Sequence, residues 1–174
     1  QAVLEAVPGH TGTVGGLGGV IAGENEYAKV PAARVLVAHH EGSGDYPALI
    51  ASLDAVSATD DPEERLAVLR RAAEVADVGL SDPEQAFALM GRAVRVGLES
   101  DELGHLMGEL ARLARQGERY GDYVTLLEES APEIFDEDLK VQALMTAANI
   151  ADEHLNDLPR SRRGYEGVLE DRPD

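Results

Sequence analysis

The chain of 174 residues contains no cysteine, which excludes disulfides, thiolate metal ligands and cysteine nucleophiles. Tryptophan is also absent, and two Phe and five Tyr make up the aromatics. A sandwich or barrel built on branched and aromatic strands is poorly served by that composition, whereas the abundant Ala and Leu suit closely packed helices. Basic residues are scarce, 15 against 33 acidic, and the net charge of −18 would repel a phosphate backbone or an anionic membrane surface. Nucleic acid is therefore not an expected partner. No run reaches the roughly 18 apolar residues of a membrane span, so membrane insertion is not expected either. Lack of cysteine does not fix a compartment, and any targeting segment would lie upstream of Gln1, which leaves cytoplasm and bacterial envelope both open.

What the chain does have is a repeat. Asp61–Asp82, DPEERLAVLRRAAEVADVGLSD, recurs at Asp136–Asp157, DEDLKVQALMTAANIADEHLND. At an offset of 75, Leu69 matches Leu144, Ala72 and Ala73 match Ala147 and Ala148, and Ala76, Asp77, Leu80 and Asp82 match Ala151, Asp152, Leu155 and Asp157. Positions that change stay similar in kind, as Arg65 to Lys140 or Val75 to Ile150, so a helical face is repeated more than a literal string.

Helix punctuation is regular from Gly42 onward. Gly44-Asp45 opens a helix Tyr46–Ser57. Asp61-Pro62-Glu63-Glu64 supplies an N-cap, a first-turn proline and an acid before Arg65–Gly79. Asp82-Pro83 starts a helix to about Gly97, Ser100-Asp101 one to about Gln116, then come Tyr120–Ser130, the copy capped by Asp136, and a last helix from Leu158-Pro159 to Leu169. Loops of about 3–6 residues force antiparallel neighbours. The unit of 75 residues thus holds two helix pairs of about 37 residues, and such pairs bury their apolar faces only by stacking. Glu170–Asp174 reads as an inter-repeat turn, so the chain is expected to be a fragment of a longer array. Ahead of this region, Gln1–Val7 reads as a helix tail, Pro8-Gly9-His10 as a turn and Thr11–Ala22 as a weak helix with five glycines. Pro31 is expected to divide Glu24–His40 into two helices.

Catalytic and ligand chemistries find little footing. The Gly12–Gly23 run lacks the Gly-Lys-Ser/Thr ending, does not spell Gly-x-Gly-x-x-Gly and follows no convincing strand, so close helix packing or drift explains it better than a phosphate loop. Adjacent His39 and His40 point about 100° apart on a helix and cannot share one ion in the manner of an i, i+4 pair. The five histidines read as solvated polar residues, and the acidic runs as caps at helix starts. No Ser-His-Asp or paired-carboxylate set can be assembled, so the expectation is a non-enzyme that needs neither cofactor nor metal.

Leu144, Ala147-Ala148, Ala151, Tyr165, Val168 and Pro173 form a pattern of large and small positions, repeated by Ala72-Ala73, Ala86, Met90 and Ala93 and more loosely by Leu110-Ala111 with Tyr120. By these residues most of Pro31–Asp174 resembles tetratricopeptide-repeat proteins, in particular the degenerate arrays of large bacterial proteins. Departures are Ser161 at the small second-helix position, Leu98 where a proline belongs, and a turn inside each pair about one residue longer than the family's. Before Pro31 only Leu17-Gly18 fits. The resemblance implies one all-α domain over residues 1–174, a right-handed α-solenoid of antiparallel helix pairs, with residues 1–30 an atypical Gly-rich first part.

It also implies that the first helix of each pair lines a concave groove. Position by position this gives Arg70, Glu74 and Asp77, then His105, Arg112 and Arg115, then Gln142, Met145, Asn149 and Asp152 as candidate partner-binding residues. With only Lys29 and Lys140, the groove does not match a chaperone-type carboxylate clamp. The function implied is a protein-interaction scaffold holding a protein or peptide partner, which other parts of the same longer chain would also satisfy. The alternatives are a small-ligand or nucleotide-binding regulatory domain using the Gly-rich segment, and a structural spacer in a larger protein.

Overall fold

The computed structural model describes residues 11–23 and 26–171, and every described element is helical or a turn. In chain order these are α1 (Thr11–Ala22), α2 (Glu26–Ser43), α3 (Tyr46–Val56), α4 (Pro62–Glu74) with a π-helical extension Val75–Gly79, α5 (Pro83–Val96), α6 (Leu103–Gln116), α7 (Tyr120–Ser130) with a 3-10 turn Ala131–Glu133, α8 (Glu137–Glu153) and α9 (Leu158–Asp171). The expected tail Gln1–Val7, the turn at Pro8–His10 and the closing residues Arg172-Pro173-Asp174 lie outside the described residues.

Two compact units form, Gln1–Leu89 and Met90–Asp174, with the division inside α5. In the first, α1 packs on α2, α2 on α3 and α3 on α4; in the second, α6 packs on α7, α7 on α8 and α8 on α9. Within each unit these helices therefore pack on their neighbours in the chain. The core follows the alternation of large and small residues: Leu49, Leu53, Leu69, Ala72, Ala73 and Ala76 are buried in the first unit, and Leu106, Leu110, Leu113, Val124, Leu127, Ala147, Ala148 and Ala151 in the second. Burial of each such leucine stabilises by roughly 1.5–3 kcal/mol.

The pairs are marked off by a backbone signature. Gly44 (φ 69°), Ser81, Glu118 and Asn156 (each φ 53°) are left-handed, and their positions step by 37, 37 and 38 residues. A left-handed residue just past a helix lets the next amide turn back to the last carbonyls. At Gly44 and Glu118 the closure is tight, with Asp45 N donating to His40 O (3.1 Å) and Arg119 N to Ala114 O (2.8 Å). At Ser81 and Asn156 it is one residue wider, with Asp82 N donating to Ala76 O (2.9 Å) and Asp157 N to Ala151 O (2.8 Å). The extra residue is taken up by π-type bonds, Leu80 N to Val75 O and Leu155 N to Ile150 O (3.1 and 3.2 Å), which accounts for the long turn seen in the sequence.

One expectation is corrected and another narrowed. Helix α2 runs unbroken through Pro31. The proline is only the sixth residue of the helix and exposed, so its lost hydrogen bond falls near the N-terminal end, while Ala32, Ala33 and Leu36 behind it are buried and hold the helix together. Of close packing and drift, the two explanations for the glycine run, the first is not met at Gly15, Gly16, Gly18 or Gly19, where a Cβ would meet nothing within 4 Å among the described residues.

Candidate partner-binding faces

In the first unit, α4 is anchored by its cap, Asp61 Oδ1 accepting from Glu63 N (3.0 Å) and Glu64 N (3.3 Å). With Leu69, Ala72, Ala73 and Ala76 turned inward, the opposite side presents Ala67, Arg70, Glu74 and Asp77 at steps of three and four, the first and third exposed and the other two half-buried. Helix α2 is pinned beside α4 by Arg34, whose Nε and Nη2 donate to Glu64 Oε1 (2.9 Å) and Oε2 (2.6 Å), and by an Arg71–Glu41 ion pair. The Arg34 hydrogen bond holds the Glu64 carboxyl below its ordinary value, with a smaller contribution from Thr59.

In the second unit, α6 turns Leu103, Leu106, Leu110, Leu113 and Ala114 inward and leaves His105, Gly108, Arg112 and Arg115 exposed in one row. Arg112 donates to Glu109 Oε2 and Gln116 Oε1, both at 3.1 Å along its own helix, so its guanidinium lies flat over the exposed side. Arg115 lies near the buried Tyr123, whose phenol is pushed up to about 12 by burial and pulled partly back by the arginine's charge. Helix α8 buries Ala143, Ala147, Ala148 and Ala151 and exposes Gln142, Met145, Asn149 and Asp152 at steps of three, four and three. On the buried side, a Cβ at Gly164 of α9 would stand 2.9 Å from Ala148 Cβ, so the two helices touch at their smallest residues.

Within each unit the candidate residues of one helix thus share one outward row, while the sequence offered no sign of what fixes them. Tyr165 on α9 donates its hydroxyl hydrogen to Asn149 Oδ1 at 2.6 Å, which orients the amide from a residue 16 positions away. His154, at the end of α8, stacks on Tyr120 with centroids 4.0 Å apart and planes within 5°, and His40 Nδ1 sits 3.0 Å from Ser52 Oγ; neither is the purely solvated side chain that spacing suggested. A further cleft of about 380 Å³ lies between Arg95, Leu98, Glu99, Glu133 and the exposed Phe135. Such contacts join distant turns of chain and carry no local period, so no signal in a single sequence announces them. Among the described residues no group of three metal-ligating side chains converges. The Gly-rich segment forms α1, which commits its amides beyond the first turn to helix bonds.

Cation, amide, thioether and carboxylate groups alternating on an exposed helix face suit recognition of a polypeptide through salt bridges and side-chain hydrogen bonds. Among the described residues the protein is all-α, its helices packed in neighbouring pairs. No protein-family model, no curated protein and no solved structure gives a significant match to the chain.

Proposed function

We propose that the protein is a non-enzymatic scaffold of the tetratricopeptide-like kind, a right-handed solenoid of antiparallel helix pairs that holds a partner segment on the outward rows of α4, α6 and α8. The observation that carries this reading is the sorting of each of these helices into a buried leucine and alanine side and an outward row of mixed polar residues at steps of three and four. The net charge of −18 steers a basic segment toward such faces, and Arg112 with Arg115 sets where along α6 the carboxylates of that segment rest.

The test is the double reversal Arg112→Glu, Arg115→Glu. Both side chains are exposed, so the stability change stays within about 0.5 kcal/mol and helix content is retained. Affinity for a partner recovered by pull-down falls by about tenfold, and the loss shrinks near 1 M salt, where the screening length is about 3 Å. Titrating one basic and one acidic peptide against both proteins identifies the sign of the contact. Unchanged affinity of every recovered partner would remove α6 from the binding surface.

A further inference from the structure

The four pairs can be superposed in sequence on their left-handed residues, Gly44, Ser81, Glu118 and Asn156, and burial then compared position by position. Five and eight residues further on, the second helix of every pair is buried, ending with Ser161 and Gly164 in the last. This is the side that each second helix turns into its own surroundings, and α9 has it intact. Nine residues on, Leu53, Met90 and Leu127 are 1%, 7% and 1% exposed, yet Tyr165 is 36% exposed. Thirteen residues on, Ser57, Val94 and Ala131 are 7%, 1% and 2% exposed, yet Leu169 is 64% exposed. Six residues on, a position buried and apolar in the three earlier pairs, stands the exposed Arg162. One side of α9 is therefore open where its three counterparts are closed.

What closes two of the counterparts, α3 and α7, is given by the packing. Helix α3 is covered by α4 and α7 by α8, in each case by the first helix of the next pair. Both covering helices begin alike, with an aspartate cap and two acids in the first turn, Glu63 and Glu64 in α4 and Glu137 and Asp138 in α8. Of these, Glu64 takes an arginine from the first helix of the preceding pair, Arg34 on α2. Alongside Tyr165 and Leu169, α9 offers the exposed Arg162 and Arg163. We infer that the open side of α9 is a docking surface for one further helix pair of the kind this chain is built from, its first helix bringing an apolar face and an acidic first turn. The surface meets the partner-binding rows at one place, where the Tyr165 hydroxyl donates to Asn149 of the α8 row; the variants below leave Tyr165 unchanged, so that failure of one assignment is distinguishable from failure of the other.

The experiment extends the full chain after Asp174 with a second copy of residues 136–171. Docking predicts that ellipticity rises by the signal of two more helices and that amide exchange in α9 slows by at least about tenfold. Leu169→Glu in the extended chain returns α9 exchange to its unextended value, whereas Leu158→Glu leaves the protection in place, since the equivalent Tyr46 of the first pair is also exposed, at 43%. Should Leu169→Glu lose helix content by itself, Arg162→Glu serves as the second variant, with the same loss of protection expected. An added segment that stays unstructured, or protection that survives both substitutions, overturns the inference. It is overturned in favour of a second copy of this chain if the unextended protein sediments as a dimer that Leu169→Glu dissociates while the extension fails to dock.

Discussion

The stretches Asp61–Asp82 and Asp136–Asp157 begin and end alike but differ in the middle. Each opens on an aspartate whose carboxylate accepts first-turn amides, from Glu63 and Glu64 in one and from Leu139 in the other. Each closes on the same wide pair of bonds and a left-handed residue at φ 53°, followed by an aspartate, Asp82 or Asp157, that accepts from Gln85 N or Arg160 N and starts the next helix. Between those ends, α4 passes into a π-helical turn at Val75–Gly79, while α8 stays α-helical to Glu153 and widens only at the last bond. Leu69 is 2% exposed but Leu144 is only half-buried, and the place of Glu64, tied to Arg34, is taken by Leu139. The caps and the turn define the repeat, and the helix interior is free to adapt to what it packs against. Tight closures at Gly44 and Glu118 alternate with wide ones at Ser81 and Asn156, so like follows like at 74 and 75 residues and not at 37.

Truncating the matched leucines should separate the copies most. Leu69→Ala is expected to cost about 2–5 kcal/mol and Leu144→Ala less than about 2 kcal/mol in urea unfolding, because less apolar surface is lost from a half-buried site. Equal losses would show that the two interiors are packed alike. Next come the glycines of the following helices, which the copies place differently: Gly164 stands where the first copy has Leu89, and Gly91 where the second has Glu166. Gly164→Ala should cost about 1–3 kcal/mol, since the new methyl would meet the Cβ of Ala148, which cannot move without its helix. Gly91→Ala should cost less, because the obstacle at 2.9 Å is the tip of the Leu126 side chain, which can rotate aside.

Smaller effects sharpen the closing turn. Serine is strained in the left-handed region, whereas asparagine enters it more readily, so Ser81→Gly should stabilise by about 0.5–1 kcal/mol and Asn156→Gly by only a few tenths. Equal gains would mean that the side chain at this place is irrelevant. The smallest expected difference is in acid. Glu64 has its carboxyl lowered by Arg34, so its contribution is complete above the ordinary carboxylate range near 4.5 and disappears as pH falls through the lowered folded-state value. Glu64→Leu, copying Leu139, should flatten that part of the melting temperature against pH, and a parallel curve would show that the exposed pair carries no stability.

Most of the helix starts were legible because they rest on local chemistry: Asp45, Asp61, Asp82 and Asp136 cap the amides that their spacing assigns to them, whereas α6 starts at Leu103 behind Glu102, which makes no side-chain cap, and not at the expected Ser100-Asp101. The outward rows came from the resemblance and not from local chemistry; in α4 and α8 the buried Ala72-Ala73-x-x-Ala76 and Ala147-Ala148-x-x-Ala151 sides lie opposite them. Pro31 misled because propensity treats a proline as a barrier wherever it stands, while the buried Ala32, Ala33 and Leu36 outweigh a bond lost near a helix start. The π-turn depends on a small difference between two nearly equal hydrogen-bond registers. The Tyr165–Asn149 bond and the Tyr120–His154 stack depend on how helices come together, which no single stretch encodes.

The most direct test of the central claim is amide hydrogen exchange of the full chain with and without a saturating recovered partner. Binding on the outward rows predicts slower exchange in α4, α6 and α8, with α3, α5 and α7 unchanged. Protection confined to α3, α5 and α7, with α4, α6 and α8 exchanging as in the free protein, would contradict it.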